Sequence, residues 1–195
     1  MSKNIECEER VMISLKEYQA LMKDYAYHPH AELLEIINYY FDDPKLSLRN
    51  AHYMLRVRNT NYEDYEFTLK IKGKDGDTEI NEPLNSDEAE QIYAWNDFPV
   101  GEVMDKVKEV ADEMEIITIT RLKTSRIEVQ FNDHLLVIDR NIYSDVVDYD
   151  IEVEASNMED AKKYIKHYCD KYHLTFSDNY KSKSRRAINK ALNID

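Results

Sequence analysis

The sequence lacks the features of a membrane-spanning or disulfide-stabilised protein. Its 195 residues include two cysteines, Cys7 and Cys169, which are far apart in the chain. No uninterrupted apolar run approaches the roughly 20 residues that a helix needs to span a bilayer. The N-terminal residues MSKNIECEER also lack the apolar stretch of a signal peptide. These absences argue against a transmembrane role and predict a cytoplasmic protein with reduced thiols.

The sequence also lacks an excess of positive charge. It has 26 lysines and arginines against 39 aspartates and glutamates, which gives a net charge of −13. The overall field therefore disfavours non-specific binding to a nucleic-acid polymer or to an anionic membrane. A local basic lining remains compatible with this balance.

Internal repeats, linkers and heptad patterns are absent too. A chain of this length with 43% hydrophobic residues is long enough to bury a core of its own. We therefore expect a single domain over residues 1–195. Association into a homodimer stays open, because the sequence shows no obvious interface motif.

Alternating polar and apolar residues predict mostly strands. The candidate strands are 5–13, 33–41, 53–58, 65–72, 78–84, 116–122, 126–131, 135–142 and 149–155. We expect about eight antiparallel strands in a β-meander, with a glycine-rich turn at 73–77. The candidate helices are 14–27, 86–95, 100–114, 156–172 and 183–192. Ser14, Ser86 and Ser156 are the expected N-caps, the first and last in capping boxes.

Charged residues on several candidate strands share one face, because side chains on a strand alternate sides. These positions are Glu6, Glu8 and Arg10; Arg56 and Arg58; Lys70 and Lys72; and Asp150, Glu152 and Glu154. Carboxylates that face an interior repel one another unless cations neutralise them, and interior cations need anions. A bound metal together with a polyanion satisfies both sets. We therefore predict an α+β fold, an eight-stranded antiparallel β-barrel with a polar lumen and helices packed outside.

With these motifs the chain resembles the CYTH superfamily, also called triphosphate tunnel metalloenzymes. The family hallmark ExExK stands here as Glu6, Glu8 and Arg10. The resemblance continues, in the family's order, through YYFDDPKLSLRNAHYMLRVR, TLK, Arg126, LLVIDR, YDIEVE and SKSRR. One departure is Arg10, which keeps the charge of the family lysine but does not readily release a proton.

The resemblance implies a tunnel that binds a triphosphate group, with acidic residues holding a divalent metal at one side. The metal ligands it implies, for Mg²⁺ or Mn²⁺, are Glu6, Glu8, Asp139, Glu152 and Glu154. The substrate-binding cations it implies are Arg10, Arg56, Arg58, Lys70, Arg126, Lys183 and Arg186. The catalytic residues it implies are Arg10, Glu8 and Glu152.

Each position also has a simpler interpretation. The ExE pairs are equally typical of a solvated strand face, and the cations of outward salt bridges on an acidic protein. Asp139 is also placed to pair with Arg140 or Lys123.

The resemblance leads us to expect metal-dependent hydrolysis of a triphosphate, either inorganic tripolyphosphate or a small organic triphosphate. Family members hydrolyse tripolyphosphate, thiamine triphosphate or RNA 5′-triphosphates, or cyclise ATP. The first alternative is an adenylyl cyclase that converts ATP to cyclic AMP and pyrophosphate, although no base-binding pocket is identifiable from the sequence. The second is a non-catalytic triphosphate-binding module, favoured if Arg10 removes an essential proton acceptor.

Overall fold

A computed structural model of the chain describes residues 7–73, 78–175 and 181–194. Eight strands form one sheet in the order β1-β8-β7-β6-β2-β3-β4-β5. Their bounds are β1 Cys7–Ile13, β2 Ala31–Asp42, β3 Tyr53–Thr60, β4 Asp64–Ile71, β5 Thr78–Leu84, β6 Ile117–Gln130, β7 His134–Tyr143 and β8 Val146–Ala155. Residues 74–77, most of the predicted glycine-rich turn, lie outside the described residues.

The helices lie between the strands and after them along the chain. They are α1 Leu15–Tyr25, α2 Ser47–Asn50, α3 Ser86–Trp95, α4 Glu102–Val107, α5 Met158–Tyr172 and α6 Lys183–Leu192, with a 3-10 turn at Glu113–Glu115. The α+β class and the eight strands agree with the sequence prediction, and α6 has the predicted bounds. Each helix in the described part of the chain is too short or too polar to cross a bilayer.

The prediction of a simple meander is wrong. β1 pairs with β8, and β6 neighbours β2, so the strand order breaks twice with respect to the chain. The breaks coincide with α1, which lies between β1 and β2, and with α3 and α4, which lie between β5 and β6. Connections of that length do not form tight hairpins, and the strands that they join need not be neighbours.

Two predicted elements are also divided differently. The candidate strands 116–122 and 126–131 are one continuous strand, β6, because Thr124 is buried and bonded within the sheet rather than exposed in a turn. The predicted helix 100–114 ends at Val107, and Asp112 then caps the 3-10 turn by accepting the N–H of Met114 at 3.1 Å.

The capping residues are partly as predicted. Ser14 and Glu17 form the expected capping box at α1. At α3 and α5, however, the caps are Asn85 and Asn157 rather than Ser86 and Ser156. Each asparagine is followed three positions later by an acidic residue whose N–H it accepts. The N-cap is therefore one residue before the predicted serine at α3 and one residue after it at α5.

The chain divides into two compact units. Among the described residues, unit I consists of Ile36–Leu122 and the residues from Ala187 onward. Unit II consists of the residues from β1 to Glu35 and of Lys123–Arg186. In unit I the apolar core includes Leu55, Val57, Phe67 and Leu69 of β3 and β4. The predicted single domain over 1–195 stays a prediction.

The core of unit II lies on one side of its strands. Val11 of β1, Ile138 of β7 and Ile151 of β8 pack there with residues of the two helices, among them Leu21 of α1 and Ile165 of α5. Since side chains alternate along a strand, the residues directly before and after these apolar positions point to the opposite face. That opposite face carries the charged residues singled out from the sequence.

The short helix α2 depends on one buried carboxylate of unit I. Asp42 is 6% exposed, and its Oδ1 accepts the N–H groups of Asp43 and Leu48 at 2.9 and 3.0 Å. Its Oδ2 accepts the N–H of Arg49 at 3.0 Å. A four-residue helix has too few internal hydrogen bonds to form alone. The Asp42 carboxylate supplies acceptors for the N–H groups that lack a partner within the helix.

We expect Asp42→Ala to lower the free energy of unfolding by about 2–3 kcal/mol, because two buried N–H groups and one partly buried N–H group lose their acceptor. Urea unfolding followed by circular dichroism measures the change. The control is Glu63→Ala, an exposed residue between β3 and β4, for which we expect less than about 0.5 kcal/mol. Equal stabilities of the two variants would contradict this role of Asp42.

Candidate functional site

The predicted metal and substrate residues of unit II lie on its polar strand face. In the β1–β8 ladder Glu8 is opposite Glu154 and Arg10 is opposite Glu152. In the β7–β8 ladder Asp139 is opposite Asp150. Residues directly opposite each other in a ladder share a face, so the register brings these side chains together. Glu6 lies outside the described residues.

Two cationic side chains donate to Asp139 on this face. It is fully buried, and Arg126 donates to both of its oxygens, from Nε to Oδ1 and from Nη2 to Oδ2, each at 2.8 Å. Lys183, at the start of α6, also donates to Oδ2. Burial acts to raise the pKa of Asp139, but Lys183 and Arg126 outweigh it and lower the pKa to about 2. The carboxylate is therefore ionised, and its partners are not the predicted alternatives Arg140 and Lys123.

Glu152 shares the same two cations. It is 2% exposed, and its Oε2 accepts from Lys183 Nζ at 3.2 Å and from Arg126 Nη2 at 3.4 Å. Burial acts to raise the pKa of Glu152, but the charges of Lys183 and Arg10 lower it. Its Oε1 has no hydrogen-bond partner among the described residues, although Arg10 Nη1 lies 3.5 Å from it.

Arg10 joins β1 to this cluster. Its guanidinium donates to the carboxylate of Glu8 and forms an ion pair with Glu152. Burial acts to lower the pKa of Arg10, but the charges of Glu152 and Glu8 hold it above its ordinary value. The group is thus a permanent cation and not a proton acceptor.

Asp150 is a member of the cluster that the sequence reasoning did not assign. It is fully buried, and its Oδ2 accepts from Asn141 Nδ2 at 2.9 Å and from Arg186 Nη2. Burial raises the pKa of Asp150 to about 6; Lys183 opposes this effect, and Asp139 and Glu152 add to it. Its equal parity with Glu152 and Glu154 was the available signal.

Arg186 was predicted to bind substrate, and its nitrogens are bonded within unit II. Nε and Nη2 form a two-pronged pair with the carboxylate of Asp148, each at 2.9 Å. Nη2 also donates to Asp150, and Nη1 donates to the carbonyl of Lys181 at 3.0 Å. These bonds tie the start of α6, and with it Lys183, to β8.

The cations predicted in unit I lie on one face of β3 and β4. Arg56 is opposite Thr68, Arg58 is opposite Glu66, and Lys70 is two positions further along β4. Arg58 Nε donates to Asn38 at 3.3 Å, and Lys70 pairs with Glu79 at 3.2 Å. Arg56 is 9% exposed, and its Nε has no hydrogen-bond partner within the described chain. Arg58 also lines a cavity of about 360 Å³.

The residues of unit II fit a divalent cation. Asp139, Asp150 and Glu152 each offer an oxygen, and these three oxygens lie within 4.8 Å of one another. Carboxylate oxygens are the donors that Mg²⁺ and Mn²⁺ prefer. Asp150 Oδ1 and Glu152 Oε1 are buried and lack hydrogen-bond partners among the described residues, so two oxygens have coordination capacity left.

Comparison with known proteins assigns these motifs to one family. The sequence matches the family model of the CYTH domain over residues 4–186. YjbK of Bacillus subtilis (strain 168), whose name gives triphosphatase as a provisional activity, is 27% identical over 164 residues. The match covers 84% of this chain and 84% of YjbK.

Solved structures show the same fold. A Bacillus halodurans protein, described provisionally as an adenylate cyclase, is 26% identical with a TM-score of 0.81, covering 95% of this chain and 98% of that one. HpAC1 from Hippeastrum, described as a provisional adenylyl cyclase with a dominant triphosphatase activity, is 18% identical with a TM-score of 0.79, covering 95% of each chain. The predicted eight-stranded antiparallel fold of this family is confirmed.

We expect Asn141→Leu to lower the free energy of unfolding by about 3 kcal/mol, because Asn141 links several buried polar groups. Its Oδ1 accepts from Thr124 at 2.8 Å, and its Nδ2 donates to Asp148 at 3.1 Å and to Asp150 at 2.9 Å. Urea unfolding measures the effect. Gln19→Leu, at an exposed position of α1, is the matched control with an expected change below about 0.5 kcal/mol. A stable Asn141→Leu would show that the network does not hold the strands together.

Proposed function

The chain belongs to the CYTH domain family, and from this membership we propose that it hydrolyses a triphosphate with the help of Mg²⁺ or Mn²⁺. The proposed substrate is inorganic tripolyphosphate or a small organic triphosphate. One observation carries the proposal: Arg10, Arg126 and Lys183 are held against Asp139 and Glu152 in the buried interior of unit II. Cations of the kind that bind phosphate and carboxylates of the kind that bind divalent metal are interleaved there, which supports the proposal.

The cations supply the proposed grip on the phosphates. Burial acts to lower the pKa values of Arg126 and Lys183, but the carboxylates around them raise both above their ordinary values. Both groups therefore keep their charge where water does not screen it. Charges fixed in this way stabilise the transition state of phosphoryl transfer, in which negative charge spreads over the phosphate oxygens. Arg56, Arg58 and Lys70 of unit I are proposed to contribute further donors.

The carboxylates supply the proposed metal ligands, which are Glu8, Asp139, Glu152 and Glu154, with Glu6. Glu8 and Glu154 face each other across the β1–β8 ladder. Like charges directly opposite each other destabilise a sheet unless a cation lies nearby. When bound, a divalent ion would polarise phosphate oxygens and lower the pKa of a coordinated water.

Arg10 has a restricted role in this proposal. It is 17% exposed and bonded to two acidic side chains, and its raised pKa keeps it protonated. It therefore serves as a cation that orients Glu8 and Glu152 and contacts phosphate. A proton acceptor in the reaction has to be another group.

The relatives support hydrolysis over cyclisation. YjbK carries triphosphatase in its name, and HpAC1 is described as having a dominant triphosphatase activity. The Bacillus halodurans relative is described provisionally as an adenylate cyclase, which keeps ATP cyclisation as the reaction against which to test.

We expect phosphate release from tripolyphosphate, thiamine triphosphate or ATP that requires Mg²⁺ or Mn²⁺. Glu152→Gln should lower kcat/KM by at least about 100-fold, because it removes a proposed metal ligand and the carboxylate that orients Lys183 and Arg126. Glu9→Gln is the matched control, since Glu9 lies on β1 between Glu8 and Arg10 and has the opposite parity. Phosphate, pyrophosphate and cyclic AMP are measured together.

The products separate the three functions. Cyclic AMP with pyrophosphate would replace the hydrolase by a cyclase. Triphosphate binding without any turnover would leave a binding module. Phosphate release that survives Glu152→Gln would contradict the proposed site.

We expect Arg10→Lys to keep kcat within about tenfold of the wild type, because the charge is retained while the planar fork is lost. Arg10→Met, which removes the charge, should lower kcat/KM by about 100-fold. Steady-state kinetics on the preferred triphosphate measures both variants. A gain of more than tenfold in Arg10→Lys would mean that the family lysine does proton chemistry that an arginine does not.

A further inference from the structure

Asp150 has one carboxylate oxygen for which the described protein supplies no hydrogen-bond partner. Asn141 and Arg186 both donate to Oδ2, whereas Oδ1 is buried without a hydrogen bond. A buried charged acceptor that lacks a hydrogen bond destabilises the protein, because the water that it lost has not been replaced. Two donors fix the orientation of this side chain, so the oxygen that they leave is held in place for a ligand.

The open oxygen belongs to a group of three carboxylates. Asp139, Asp150 and Glu152 each place one oxygen within 4.8 Å of the others. Glu152 Oε1 is a second buried oxygen without a hydrogen bond in the described chain. Three carboxylates this close repel one another unless cations balance them.

The balancing cations are the side chains proposed to bind phosphate. Arg126 and Lys183 occupy both oxygens of Asp139 and also contact Oε2 of Glu152. Guanidinium and ammonium groups donate charge-assisted hydrogen bonds to phosphate oxygens as well as to carboxylate oxygens. A triphosphate that bonds to Arg126 and Lys183 therefore withdraws donors from Asp139 and Glu152.

Loss of these donors would leave buried carboxylates without compensating charge, which is strongly unfavourable. A divalent cation restores the balance and has three oxygens available. We propose that Asp150 completes an inner cation site with Asp139 and Glu152, and that this site takes up a divalent ion together with the triphosphate. Because binding linkage is reciprocal, each ligand then strengthens the binding of the other. The proposal rests on the proposed function, since it requires a triphosphate at Arg126 and Lys183.

Asp150 thus differs from the ligands expected from the sequence. Glu8 and Glu154, on the same strand face, are only partly buried, whereas Asp150 is fully buried. Asn141 and Arg186 hold its side chain in place, so it does not move toward an ion that keeps its hydration shell. An ion at Asp150 must therefore lose more of its water than an ion at Glu8.

The experiment measures the affinity for imidotriphosphate, a triphosphate whose bridging oxygens are replaced by NH groups, by calorimetry with Mn²⁺ and with EDTA. We expect Mn²⁺ to tighten binding to the wild type at least tenfold. Asp150→Asn should lose most of that gain, which is measured as the ratio of the variant's own affinities with Mn²⁺ and with EDTA. Glu9→Gln should behave as the wild type. Because the complex between Mn²⁺ and the analogue in solution is the same in every titration, differences between variants report the protein.

Electron paramagnetic resonance of Mn²⁺ supplies a second readout that is independent of turnover. The spectrum of Mn²⁺ with the wild type and the analogue should broaden, and Asp150→Asn should reduce the bound fraction. Asp150→Glu is a second variant that keeps the charge beside Arg186 but moves the oxygen by one methylene. We expect it to lose the Mn²⁺-dependent gain as well. The wild-type coupling is measurable whether or not Asp150→Asn folds.

The outcomes are distinct from those of the proposed function. A full Mn²⁺-dependent gain in both Asp150 variants would overturn the role of Asp150, even if the wild type is a metal-dependent triphosphatase. Equal affinity of the wild type with Mn²⁺ and with EDTA would overturn the coupling. Coupled binding without hydrolysis of any triphosphate would leave the inner site standing and remove the hydrolase.

Discussion

Charge compensation around Asp139 is the constraint on which the polar interior of unit II depends. A buried carboxylate loses its hydration, and this costs several kcal/mol unless well-placed hydrogen bonds and charges compensate for the lost water. For Asp139, Arg126 donates two parallel hydrogen bonds and Lys183 donates a third. The planar guanidinium matches a carboxylate in a way that an ammonium does not. β6, β7 and α6 are joined by this one group of atoms, and Glu152 of β8 shares its cations.

A second network supports the first from behind. Asn141 and Arg186 each donate to both Asp148 and Asp150, so two donors and two carboxylates are linked inside the protein. The consequence is positional, because Arg186 holds the beginning of α6 and thereby the Lys183 side chain three residues earlier. Buried networks of this kind are rigid when every member is satisfied. The two buried oxygens without hydrogen bonds, on Asp150 and Glu152, are the exceptions that point to a ligand.

The sequence predicted the faces of the strands better than their connections. Strand alternation placed Glu8 with Arg10 on one face of its strand and Glu152 with Glu154 on one face of another, because the period of two follows from backbone geometry. That the two pairs share a face follows from the register of β1 and β8. The continuity of β6 through residues 123–125 could not be foreseen, because the polar Thr124 is buried and its hydroxyl donates to Asn141 of another strand, a contact that depends on tertiary structure. The caps at α3 and α5 were misplaced by one residue because serine and asparagine stand side by side there. Asp150 was visible by parity, but its importance comes from burial and from its bonds to Asn141 and Arg186, which depend on tertiary structure.

The net charge of −13 makes the local arrangement of charges decisive. At physiological ionic strength, charges farther apart than about 8 Å are largely screened, so a triphosphate responds mainly to the groups that line its site. In unit II the cations Arg10, Arg126 and Lys183 are each paired with carboxylates. A free polyanion at the proposed site would have to break these ion pairs. A complex of metal and triphosphate would instead exchange partners with them, its phosphates pairing with the cations and its metal with the carboxylates. For the proposed function, the pairing therefore favours a substrate that carries its own cation.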